Sequence, residues 1–156
     1  MCDYSLMMVP NRLAAEGEEL VSHRFRSGSV GLVACADYRV WQAEARASGW
    51  WKWLQGIVAG ENSPKPVVCI PSGAQLRMSE IPKNLQRQLS VGDAEDVTFR
   101  QVSSDPNRHR DALCFENGVV LSIQSLDEGQ KLKVIRLSAE PDTDIHVDEP
   151  EVLFAR

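Results

Sequence analysis

The chain has 156 residues, 43% of them hydrophobic and 25% charged, so a normally folded domain is expected, and neither disorder nor a disulfide scaffold is needed. Acidic residues outnumber basic ones by 22 to 17, a formal charge of -5. Only two small basic groups occur, His23/Arg24/Arg26 and Arg108/His109/Arg110, which is not the basic face of a nucleic-acid binder.

The first residues, Met1 to Glu19, show no basic start followed by an apolar stretch, and no run approaches the roughly 18 apolar residues of a membrane span. The expectation is a cytoplasmic protein with no signal peptide and no membrane span. Cys2, Cys35, Cys69 and Cys114 are widely scattered and three lie in apolar runs; in a reducing compartment they are expected as buried thiols rather than disulfide partners.

Residues 1–36 hold two apolar stretches, Tyr4–Val9 and Val30–Ala36, with Pro10-Asn11 and Arg26-Ser27-Gly28-Ser29 reading as breakers. Leu20-Val21 followed by Phe25 reads as a further short strand, and residues 31–36 as a buried one. From Asp37, a candidate N-cap, the period becomes helical. Val40, Ala43, Ala47, Trp50, Trp51, Leu54, Ile57 and Val58 share an arc of roughly 120° at 3.6 residues per turn. Most polar residues of the segment lie outside that arc, and Gly60 is a natural stop. An inserted amphipathic helix over about 37–59 is predicted, with Gly49 weakening its middle by about 1 kcal/mol.

Glu61–Pro66 is a linker by composition, and β-like sequence follows. Strands are predicted at Val67–Ile70, Ala74–Met78, Val97–Val102 and Leu132–Leu137, with a short helix near 82–89 that turns Leu85 and Leu89 inward. Ala112–Phe115, the Glu116-Asn117-Gly118 turn and Val119–Ile123 form the best hairpin signal, because Asn-Gly adopts left-handed turn conformations at low cost. The fold class read from this pattern is mainly β (α+β): a small, partly open β-barrel, with a two-layer sandwich as the other solution, carrying the inserted helix. Residues 1–139 form a single globular domain with a helical insertion at 37–60. Residues 140–156 form an acidic C-terminal arm, in which Val152-Leu153-Phe154 could dock on a groove or a second subunit.

Several residues have chemical potential. Removal of Met1 would leave the Cys2 thiol beside a free α-amine, the pair used by N-terminal nucleophile enzymes, although Asp3 replaces the glycine usual after such a cysteine. Arg108, His109 and Arg110 are a candidate anion-binding group, since arginine presents a planar fork of donors. Asp144, His146 and Asp148 share one face if extended and, with His109, are weak metal-ligand candidates. No phosphate-cradling glycine loop, CxxC pair or Ser/His/Asp set appears, and no cofactor is expected. Trp41, Trp50, Trp51 and Trp53 fall within thirteen residues. Trp50 and Trp51 fit the apolar arc while Trp41 and Trp53 lie off it or at its edge. If one stripe seats on the barrel, the remaining tryptophans are left for a protein partner or a second copy of the chain.

Cys2-Asp3-Tyr4-Ser5-Leu6, Asn11-Arg12-Leu13-Ala14 and Gly17-Glu18, together with residues 68–76, 109–118 and 128–130, resemble a family of short uncharacterised bacterial proteins that begin Met-Cys-Asp-Tyr-Ser-Leu. The resemblance covers residues 2–34 and about 67–137; it implies a bacterial origin and the domain extent, with the Trp-rich helix and acidic tail as additions. Members often carry histidine where this chain has Met7 and Arg110, so of three histidines only His109 is kept, which argues against carrying over a metal function. The expected function is a non-catalytic accessory or binding protein using the Trp-rich helix for protein–protein association. The alternative is a small enzyme or metal-binding protein using Cys2 or His109.

Overall fold

The computed structural model describes residues 10–43, 66–102 and 109–137. In chain order these form β1 (Asn11–Leu13), β2 (Glu19–Arg24), β3 (Val30–Ala34), the helix α1 over residues 35–43, β4 (Val67–Cys69), β5 (Gln75–Ser79), α2 (Lys83–Leu89), β6 (Ala94–Gln101), β7 (Asp111–Phe115), β8 (Val120–Ser122) and β9 (Lys131–Arg136). Seven strands make one antiparallel sheet in the order β3-β2-β9-β5-β6-β7-β8, curled into an open half-barrel. The partly open barrel expected from strand spacing is therefore the observed architecture.

Alternation along the strands explains the curl and its contents. In β5 and β9, Leu76, Met78, Leu132 and Val134 are buried while Arg77, Lys131 and Lys133 are exposed. With a side-chain period of two, each strand sends one apolar row to the inner face. The register of β5 on β9 shifts between Gln75 and Leu76, so that Ile135 is an extra residue between the partners of that pair. A bulge of this kind bends and twists its strand.

The inner face is packed full. Leu20, Leu32, Leu76, Met78, Phe99, Leu113 and Leu132 meet Leu85 and Leu89 of α2, as the apolar spacing of 82–89 predicted. A void of about 20 Å³ remains between β3, β4 and Phe99, room for roughly one water molecule. Among the described residues the interior of the half-barrel is thus a core, as in other small barrels whose inner positions are filled by side chains.

Three local expectations are corrected. Pro10-Asn11 does not simply break the chain: β1 starts at Asn11 and pairs in parallel with β4, Asn11 opposite Val67 and Leu13 opposite Cys69. A three-residue strand without apolar alternation carries no pattern to read. Bidentate contact of Arg12 with Glu18, whose carboxylate also accepts from Ala15 N–H at 2.9 Å, ties this strand to the following turn. Helix α1 begins at Cys35, directly after β3, so Asp37 lies in its first turn rather than at the N-cap. Finally, Cys35 and Cys114 are free thiols but only half-buried rather than buried, and Cys69 is disulfide-bonded. The remainder of the 37–59 helix, the linker before Pro66 and the acidic arm fall outside the described residues. No helix among the described residues is long and apolar enough to cross a membrane.

Candidate functional site

With the interior filled, the surface features that can meet a ligand or partner lie on the outer face of the sheet, where α1 sits. On that face Val21 and Val33, cross-strand partners in β2 and β3, are 3% and 0% exposed although they do not belong to the inner core.

One flank of α1 is fastened through Glu128. The turn after Asp127 is locked to β2: Ser22 N–H donates to Gln130 C=O at 2.9 Å, Gly129 N–H to Ser22 C=O at 2.9 Å, and Gln130 N–H to Ser22 Oγ at 2.8 Å. The Ser22 hydroxyl in turn donates to Asp127 C=O. Gly129, at φ +87°, permits the turn. Glu128 is thereby placed beside the outward-facing His23. One carboxylate oxygen accepts from Arg24 N–H at 2.6 Å, and the other accepts from His23 Nδ1 at 2.7 Å and from the Tyr38 hydroxyl at 3.2 Å. Partial burial works to raise the Glu128 pKa, but the donors from Arg24, His23 and Tyr38 outweigh it and hold the carboxyl below its ordinary range. Burial lifts the Tyr38 phenol above its ordinary range; Gln42 opposes the rise and the Glu128 carboxylate adds to it.

Aromatic rings enclose the imidazole. Phe25 meets it edge-on with centroids 4.9 Å apart, Tyr38 lies at 5.9 Å, and Trp41 at 6.1 Å with its plane tilted by 54°. Such edge and tilted contacts suit the ring quadrupoles. Because two of the rings belong to α1, the same cluster pins the helix to the sheet.

The other flank of α1 borders a groove of about 320 Å³ over β2, β9 and β5, lined among others by Arg39, Arg77, Lys131, Lys133, Glu19 and Glu80. A second concavity, about 340 Å³, lies over β5, β6 and β7 beside Thr98, Arg100, Cys114 and the exposed Ile135.

The sequence-derived candidates are only partly gathered here. Trp41 is half-buried against His23, although it lies off the predicted apolar arc. Val40 and Ala43, which open that arc, face outward; Val40 is 54% exposed. His109 is exposed and Arg110 half-buried, with a buried Nε that has no hydrogen-bond partner. Cys2, Trp50, Trp51, Trp53, Arg108, Asp144, His146 and Asp148 lie outside the described residues. Among the described residues no three His, Cys, Asp or Glu side chains are grouped to hold a metal ion.

Sequence reasoning missed the His23–Glu128 pair and the basic groove. The partners of each are far apart in the chain, and only the alternation of β2, β5 and β9 carried a trace of their common face.

Compared with known proteins, the chain matches no family model, no curated protein and no solved structure.

Proposed function

We propose that this protein is a non-catalytic binding module: a half-barrel that carries α1 on its outer face and offers the outward side of that helix to a protein partner, a second copy of the chain being the first to test. The observation that carries this reading is the orientation of α1. Tyr38 and Trp41 dock on the His23 cluster, whereas Val40 is 54% exposed and Ala36 and Ala43 are exposed beside it. The apolar arc read from the sequence therefore begins on the solvent side of the helix. By period, Ala47, Trp50, Trp51 and Leu54 belong to the same arc as Val40 and Ala43. A stripe of that composition has the character of an interface centre, where tryptophan is enriched and charge depleted.

Light scattering on the size-separated full chain tests the reading. Association at micromolar concentration, lost in Val40→Glu and Trp50→Glu while circular dichroism stays unchanged, is the expected result. A monomer in both wild type and variants, together with no partner recovered by crosslinking in cells, would overturn it.

A further inference from the structure

The groove beside α1 concentrates positive charge on a protein whose formal charge is -5. Its cations come from three elements: Arg39 from the helix, Lys131 and Lys133 from β9, and Arg77 from β5. The register sets them side by side. Along one row of the outer face Glu19 opposes Lys133, Lys133 opposes Arg77, and Arg77 opposes Asp96. Like charges directly opposite each other in a sheet are destabilising. Here Lys133 and Arg77 are such a pair, and Lys131 adds a third positive charge two residues along the same face.

Local carboxylates neutralise only part of this. Glu80 pairs with Lys131 at 2.5 Å, Asp96 pairs with Arg77 at 3.2 Å, and Glu19 stands opposite Lys133 without closing an ion pair. Neither Arg39 nor Lys133 makes an ion pair with another described residue. The groove also holds a hydroxyl, Ser79, and its floor is the strand backbone at Leu20 and Leu132, whose side chains turn into the core on the other face. Its volume, about 320 Å³, falls within the range of small-molecule sites.

We propose that this groove is a binding site for a small phosphorylated molecule, the phosphoryl group lying between Arg39, Lys133 and Arg77 and the rest of the molecule along the groove. Two arginine forks and a lysine match the several acceptor oxygens of a phosphoryl dianion. An anion there also counters the Lys133–Arg77 like-charge pairing, which Asp96 and Glu19 meet only from the far sides of the pair. This site is separate from association through the outward helix face, because Arg39 and Val40 lie on different sides of α1.

Titration calorimetry of the full chain at constant ionic strength tests the proposal, with AMP and inorganic phosphate as probes. Saturable binding of AMP, weakened about tenfold or more by Lys133→Gln and by Arg39→Gln with the circular dichroism spectrum unchanged, is the expected result. Equal affinity for the two probes keeps the phosphoryl site and identifies the free anion as its ligand. Absence of saturable binding for both probes, or binding that survives both substitutions and Lys133→Glu, would overturn the proposal. A Val40→Glu variant that binds AMP normally separates this site from the association surface.

Discussion

Gln124 stands in for a strand at the outer edge of β3. Its side-chain oxygen accepts from Val30 N–H at 2.8 Å, and its amide nitrogen donates to Val30 C=O at 2.9 Å. Gln124 sits in the 3-10 turn Ile123–Ser125 that directly follows β8, the strand at the opposite edge of the sheet. One side chain thus bridges the two edges of the half-barrel with the donor and acceptor that a neighbouring backbone would supply.

Gln124→Leu should destabilise the fold by about 1–3 kcal/mol, because both backbone groups of Val30, 2% exposed, lose their partner. Urea unfolding followed by circular dichroism measures this. An unchanged midpoint would mean that water replaces the amide and the edge needs no bridge.

Acid stability should depend on Glu128. Its folded pKa lies below the ordinary 4.5, so it contributes stability that is complete above that value and disappears as pH falls through the folded value. The side chain is 44% exposed, so the effect is modest. Glu128→Gln is expected to cost stability at about pH 7, and the cost should shrink steadily as the pH is lowered below about 4.5. A cost that persists at the acid end would assign it to lost shape or hydrogen bonding rather than to charge.

Ser90 closes α2 in the left-handed conformation, φ 56° and ψ 49°, with its N–H bonded to Gln86 C=O. A non-glycine residue there carries a steric penalty that glycine lacks. Ser90→Gly should raise stability by roughly 0.5–1 kcal/mol, readable as a higher thermal midpoint. A lowered midpoint would show that the exposed Ser90 side chain supplies a contact worth more than the relief.

Cys114 should resist alkylation near neutral pH. Burial pushes its thiol above the ordinary 9.0, and Arg100 only partly opposes this. Iodoacetamide labelling followed by mass spectrometry should show Cys114 reacting later on a rising pH scale than a free cysteine peptide. Arg100→Gln should delay it further. Labelling as fast as the peptide at neutral pH would contradict the raised pKa of this half-buried thiol.

Much of the fold was legible in advance because it rests on local patterns. The alternation of Val97–Val102 and the Asn117-Gly118 turn specified strands and hairpin, and Leu85 and Leu89 marked the buried side of α2. The start of α1 was less legible: Cys35 and Ala36 continue an apolar run, and nothing in their composition separates the end of β3 from the first helical turn. Nor did the sequence show which side of α1 meets the sheet. The apolar arc pointed inward by habit of globular helices, yet Tyr38 and Trp41 are the residues that meet the sheet, and Val40 and Ala43 are exposed.

By itself the sequence determined the mainly β class, most of the strands and the inward side of α2, since each depends on the spacing of apolar residues along one strand or helix. Only the tertiary structure decided what lies together on the outer face. The pairing of His23 with Glu128, the bridge from Gln124 to Val30 and the meeting of Arg39 with Arg77 and Lys133 join residues distant in the chain. The physical reason is that polar and charged positions on a solvated face obey no hydrophobic period. Their neighbours are set by strand order and register, which the packing of the opposite face imposes.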